Sequence, residues 1–309
     1  MKKIIFLGFV IFSCSVISQH ASGQYYFYND DYYDNPVLFE VGLSTGAINC
    51  LTDLGGNKGI GKRFVKDLNT GYTHISGGAF ITASYKNAAM LRVEAMFGKL
   101  SADDGVLSKV DVTDIANTRF NRNCNFRTNI SEYSAVVELH PLFMFINWES
   151  RDEDPPRYSP YLLGGVGYYS FNPQGNLNGR WIDLQPLSTE GQGFKEYPNR
   201  KPYKLKQMNF PLGLGIKYEL STLFNIRAEY VYRILTTDYL DDMSTTYIDQ
   251  SVYQNYFSGI KLANAIAMSD RQFNKVTVAG GKRGSPKQND AYFSFNLKIS
   301  MILGRERIR

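Results

Sequence analysis

Cysteine and histidine are scarce in this chain, with three of each among 309 residues. One of each falls within the first 23 residues, leaving Cys50, Cys124, His74 and His140 far apart in sequence. Four such residues do not make a Cys/His metal motif, and neither a metal nor a cofactor is expected. Charge of one sign is also lacking. Lys and Arg number 34 against 29 acids, a net charge of +5, too weak a bias to indicate nucleic acid as a partner. Beyond the amino terminus, no apolar run approaches the roughly 20 residues of a membrane-spanning helix.

The amino terminus itself reads as a targeting segment. Lys2 and Lys3 precede an apolar stretch, 4–17, and the small residues Ala21, Ser22 and Gly23 follow. Residues 1–23 are therefore expected to be a signal peptide cleaved after Gly23. Lipid attachment at Cys14 is the weaker alternative, because Ile11-Phe12-Ser13 is a poor lipobox. Without Lys2 and Lys3 the net charge falls to +3, since residues 1–23 hold no acid. Residues 24–36 form an acidic aromatic lead-in, and 37–309 form the body of the chain.

What the body does contain is period-two alternation. In 291–303, Phe293, Phe295, Leu297, Ile299, Met301 and Leu303 share one face. Tyr292, Ser294, Asn296, Lys298 and Ser300 share the other, and only Ile302 breaks the pattern. Side chains alternate across a strand, so one side is apolar and the other polar. Eight such segments are predicted, at 37–49, 75–86, 89–100, 130–143, 160–171, 209–220, 224–234 and 291–303. Abundant tyrosine and phenylalanine, 22 and 20, fit the aromatic girdles of a membrane barrel. Short connections at 86–88 and 221–223 and a medium one at 146–159 alternate with four long ones. The expected fold is an eight-stranded antiparallel transmembrane β-barrel of the outer-membrane type. Its short turns and both termini are expected in the periplasm, its long loops outside, and lipid around it.

A barrel of eight strands is filled by side chains. The residues predicted to point inward are Glu40, Arg92, Glu94, Glu132, Glu138, Lys217, Glu219, Arg227, Glu229, Arg233 and Lys298. Isolated buried charges are costly, so these are expected to pair as a structural plug. Cys50 and Cys124 lie on the same side of the membrane in this topology. A disulfide and two free thiols are both compatible with that.

Candidate chemistry is thin. His74-Ile75-Ser76 has a His-x-Ser spacing like that of outer-membrane lipid A deacylases, but it opens an early strand, and no catalytic residue is expected. Asp238, Asp241, Asp242 and Asp249 offer oxygen ligands for calcium. Their spacing is not that of an EF-hand, and an exposed acidic turn is expected instead. Residues 251–268 carry apolar side chains at three- and four-residue spacing, which predicts one amphipathic helix. The run 280–286 reads as a flexible basic turn. Tyr25, Tyr26, Tyr28, Tyr32 and Tyr33, with Trp148, Arg151 and Arg157 of the medium turn, make a candidate periplasmic docking surface.

Several segments resemble the PorG-type outer-membrane barrels of the Bacteroidota type IX secretion system. They are Phe39-Glu40-Val41-Gly42-Leu43-Ser44-Thr45-Gly46, Ser159 to Gly167, Thr237-Asp238-Tyr239-Leu240-Asp241-Asp242-Met243 through Tyr247, and Arg283-Gly284-Ser285-Pro286-Lys287 before the last strand. The first two are common to small barrels, and the last two are more specific. The resemblance implies an interaction protein without catalytic residues. It implies contact with a periplasmic ring, made of a lipoprotein and its partner, through the periplasmic side. The alternative is a general OmpA-type barrel with an envelope-structural, adhesion or small-solute role.

Overall fold

Alternating side chains become alternating faces. The computed structural model describes residues 36–56, 70–145, 156–286 and 289–303. The expected signal peptide, the tyrosines at 25, 26, 28, 32 and 33, Trp148, Arg151 and the carboxy-terminal residues 304–309 lie outside the described residues. Ten strands form one antiparallel sheet: β1 (Val37–Leu51), β2 (His74–Tyr85), β3 (Ala89–Asp103), β4 (Asn125–Leu139), β5 (Tyr158–Ser170), β6 (Gln174–Leu177), β7 (Arg180–Asp183), β8 (Lys206–Glu219), β9 (Phe224–Leu235) and β10 (Ala291–Leu303). Eight of them close on themselves. β1 pairs with both β2 and β10, and the cylinder seals where β3 meets β4, from Ala89 opposite Leu139 to Asp103 opposite Asn125. Closure leaves the wall without a free edge. β6 and β7 form a separate hairpin that extends β4 through Arg127 and Gln174.

The two ends of the cylinder differ. At one, Lys86 and Asn87 take positive φ in a two-residue turn closed by Ala88 N–H donating to the Tyr85 carbonyl at 3.0 Å. That geometry matches the right-handed twist of the flanking strands. Ser221 Oγ accepts from the Leu223 and Phe224 amides in the β8–β9 turn, at 3.3 and 3.1 Å. The strand predicted to run to Phe143 ends at Leu139, because Pro141 has no N–H for the ladder and opens a short helix, Pro141–Phe145. At the other end, long connections fold over the mouth. The helix predicted at 251–268 is divided there into a 3₁₀ turn, Gln250–Asn255, and an α-helix, Gly259–Ser269. Gly259 at φ +57° marks the break.

The wall is apolar outside. Leu43, Ile81, Leu214 and Leu297 are 66, 59, 58 and 61 % exposed, and Val41, Val93, Val137 and Ile299 join them. Such residues ring all eight strands, far beyond the few hundred Å² of apolar patch that a water-soluble monomer tolerates. Burial in hydrocarbon, with all backbone groups paired around the cylinder, accounts for both features. Among the described residues no helix is long and apolar enough to cross a membrane.

Candidate functional site: a filled lumen and a folded cap

Inside the wall, charges meet in opposite pairs. Near the short-turn end, Arg227 pairs with Glu40 at 2.8 Å, while Asn225 and Ser300 donate to the same carboxylate at 3.0 and 2.7 Å. One layer up, Arg92 contacts Glu138, Glu229 at 3.0 Å and Glu94 at 3.3 Å. Lys298 contacts Glu94 and Glu229, the latter at 2.9 Å, and the Tyr161 hydroxyl donates to Glu229 at 2.9 Å. Higher still, Arg233 pairs with Glu132 at 2.7 Å; Glu132 also accepts from Tyr292 and, at 3.2 Å, from Asn209.

Phe80 occupies the middle of the lumen, with Lys298, Arg227 and Arg92 at 5.0, 5.5 and 5.8 Å from its ring centroid. Its negative ring face suits three cations. Gly42 makes the space, since a Cβ there would lie 2.5 Å from the Phe80 ring. Arg92, Arg227, Tyr161, Tyr292, Phe80 and Lys298 are all fully buried and fill the interior.

Ion pairs among the described residues thus link nine of the eleven inward-facing charged residues predicted from the sequence, and Glu219 has an interaction of its own. Lys217 is buried at the short-turn end, 5.8 Å from the Phe143 ring, and Glu219 is half-buried. His140 lies beside Glu138 at 3.4 Å and Ser159 at 2.8 Å, inside the charge network. His74 contacts Ser101, not Ser76, at 2.6 Å, and Ser76 is buried while Ile75 faces out. The His-x-Ser pair therefore turns inward, away from any lipid substrate.

Above the charges an apolar layer closes the long-loop end, with Ile48, Leu100, Phe126, Ile130, Leu235 and Leu240 at its centre. Tyr169, Phe171, Tyr203 and Tyr239 stack through it in sequence. Cys50 and Cys124 belong to this layer as free, buried thiols, so the disulfide alternative is not realised. Cys50 Sγ lies 3.6 Å from the Ser101 carbonyl and Cys124 Sγ 3.5 Å from that of Arg122. Burial pushes the Cys124 thiol up to about 11. We expect both to resist alkylation by iodoacetamide in the folded protein and to react fully once it is unfolded; mass spectrometry of tryptic peptides reads the difference.

The cap on top is a second polar core. Arg122 holds Asp104 through two bonds of 2.8 Å and donates to the Arg283 and Asp53 carbonyls. Arg283 pairs with Glu190 at 2.8 Å and donates to the Asp242 carbonyl at 2.7 Å. Glu190 accepts from the amides of Ser244 and Thr245, and Tyr203 donates to Asp242 at 2.7 Å. These bonds tie all four long connections together. Arg283, expected in a flexible basic turn, is buried because two carboxylates await it. Asp238, Asp241 and Asp242 are buried as well, not an exposed turn; only Asp249 is exposed, where it caps the 3₁₀ turn. Among the described residues no three acidic, His or Cys side chains are placed to hold a metal.

Charge does not balance here. Among the described residues, Asp104, Glu190, Asp238, Asp241, Asp242 and Asp290 are buried against the two buried guanidiniums of Arg122 and Arg283. Burial first, then the Asp241 charge, pushes Asp238 up to about 8. Burial pushes Asp242 up to about 6 against the opposing pull of Arg283. Both folded values lie above the unfolded carboxyl value near 4, so their contribution is fully present below about pH 4 and lost as pH rises through about 6 and then 8. Amide hydrogen exchange in 236–245 should therefore be slower at pH 5 than at pH 9, after correction for intrinsic rates. Protection that increases with pH would contradict this assignment.

No protein-family profile matches the chain, and no curated protein sequence matches it. Solved barrels align loosely. Ail, the attachment invasion locus protein of Yersinia pestis, is 8 % identical, covering 86 % of this chain and 97 % of its own, with a TM-score of 0.35. Neisserial surface protein A gives 8 %, 86 %, 97 % and 0.34. OprG from Pseudomonas aeruginosa gives 13 %, 86 %, 92 % and 0.29. The barrel assignment stands on this chain's own strand register.

Of the predicted docking residues, Arg157 is described. It is exposed at the short-turn end, where its carbonyl accepts from the Glu219 amide at 2.7 Å. Glu190, Asp104 and Arg122 had no signal in the sequence, since Arg283 and Glu190 meet across 93 positions.

Proposed function

We propose that this chain is a non-enzymatic outer-membrane barrel that acts by contact, not by conduction or catalysis. One observation carries the reading: among the described residues the lumen holds five buried acids ion-paired with four buried bases, packed from wall to wall. A filled bore inside an apolar wall leaves the two ends as working surfaces. The short-turn end is periplasmic and the capped end extracellular in this reading, following the usual sorting of loop lengths.

Within that frame the role is an accessory component of type IX protein secretion, meeting a periplasmic ring lipoprotein and its partner. The resemblance of 237–247 and 283–287 to PorG-type barrels supports it. Residues 237–247 and 283–286 belong to the cap, so they speak for shared architecture, and the contact is assigned to the short-turn side, including Arg157. The second reading, a general OmpA-type barrel for envelope structure or adhesion, is favoured by the elaboration of the capped end. Deleting the gene and assaying export of type IX cargo separates the two. Lost export with other outer-membrane proteins intact, and a ring that crosslinks to position 157, supports the accessory role. Normal export, with the barrel purifying alone, leaves the second reading.

A further inference from the structure

The outer wall changes character at the capped end. Four neighbouring strands, β3, β4, β5 and β8, carry Phe97, Tyr133, Tyr168 and Met208 facing outward, each half exposed or nearly so. Phe97 and Tyr133 meet edge to face at 6.4 Å. One step further toward the cap, the same strands carry Lys99, Ser131, Ser170 and Lys206, and Arg127 follows on β4. These residues line an open cavity of about 550 Å³ with three cations and no acid among its lining residues.

Arg127 is held in place on the cavity wall. Its guanidinium lies 4.2 Å from the Trp181 ring centroid, and its Nε donates to Gln174 Oε1 at 3.0 Å. The nearby Asp183 carboxylate is taken up by the amides of Asn172 and Gln174 at 3.0 and 2.8 Å. The cavity therefore presents positive charge beside serine, threonine and asparagine side chains.

We infer that this cleft binds the headgroup of a phosphorylated glycolipid in the leaflet on the capped side. The inference rests on the reading that the wall stands in a membrane. Its place is where apolar and aromatic side chains give way to cations, which is headgroup height for a barrel. Its volume is that of a ligand site and far exceeds a single phosphate. Its cations spread across three interstrand spacings of about 4.8 Å, which suits a headgroup with sugar hydroxyls and phosphate better than a free ion. Arg and Lys are the residues that hold phosphate by charge-assisted bonds.

The test uses the full chain folded in detergent with added phosphorylated glycolipid, read by native mass spectrometry. K99Q/R127Q/K206Q is compared with K109Q/K195Q/K261Q, which removes the same charge from the loop surface. The cleft variant should bind about a hundredfold more weakly and the surface variant should match the parent. Dephosphorylated glycolipid should bind the parent as weakly as the variant binds the intact lipid, and millimolar inorganic phosphate should not displace it. Equal binding by both variants, phosphate-independent binding, or displacement by free phosphate would each overturn the inference. Insertion of the parent into zwitterionic vesicles, assayed separately, reports on the membrane reading itself. The cleft variant should insert normally.

Discussion

Replacing Arg92 with methionine should lower the unfolding free energy by about 3–5 kcal/mol, the cost of removing one member of a buried ion pair. Arg92 is 1 % exposed and touches three carboxylates, Glu94, Glu138 and Glu229. Without it Glu94 and Glu229 share Lys298 alone, and Glu138 keeps Arg227 at 3.9 Å and His140 at 3.4 Å. Methionine is chosen because it keeps much of the volume while removing charge. R92M/E229Q should recover part of the loss, because one stranded carboxylate becomes neutral. Urea titration in lipid vesicles, with folded barrel scored by its mobility on unheated gels, measures both variants. A loss below 1 kcal/mol for R92M would mean that the pairs are not packed as described.

The second large effect lies on the opposite face of the wall. Ile81 sits beside Val41 and Val93 in register, near the middle of the apolar band. It is 59 % exposed to whatever surrounds the barrel. Were that water, Ile81→Arg would change stability by about 0.5 kcal/mol or less, as surface substitutions do. In hydrocarbon the same change should cost about 2–4 kcal/mol. The arginine has no luminal partner to reach, because its backbone position points the side chain outward. The same urea titration in vesicles of two thicknesses gives the number, and the cost should fall in the thinner bilayer, where the headgroup region is nearer. A neutral result in both would place this face in an aqueous or protein environment.

The barrel was legible because period two is a local property. In β10 the alternation from Phe293 to Leu303 gives both the strand and its facing, and the structure reproduces its bounds. β5 resisted, since Gly164, Gly165 and Gly167 carry no side chain to report a face; in the structure Tyr161, Leu163 and Tyr169 point in. The lumen network was legible as a list of inward charges, though not as pairs. Which glutamate meets which arginine depends on strand order around the cylinder, as with Arg92 and Glu229 across 137 positions. The β6–β7 hairpin left a readable mark that a search for long strands passes over: Asn178-Gly179, with φ of +52° and +86°, is a two-residue turn of the favoured kind. The cap was not legible. A run such as Gly280-Gly281-Lys282-Arg283 has the composition of an exposed turn, and only the approach of Glu190 from another loop and of Asp242 from the far part of its own buries Arg283. The aspartates of 238–242 were misplaced for the same reason, because burial of a loop is decided by its tertiary partners.

The most direct test is a spin-label scan around the wall. Single cysteines at Leu43, Ile81, Val93, Leu214 and Leu297 take one site from each of five strands, with Cys50 and Cys124 replaced by alanine. Val112, an exposed loop residue, serves as the aqueous reference. In vesicles all five wall labels should collide with oxygen dissolved in lipid and be shielded from a water-soluble nickel complex, while the label at 112 does the reverse. Wall labels as open to nickel as the loop label would contradict the transmembrane barrel.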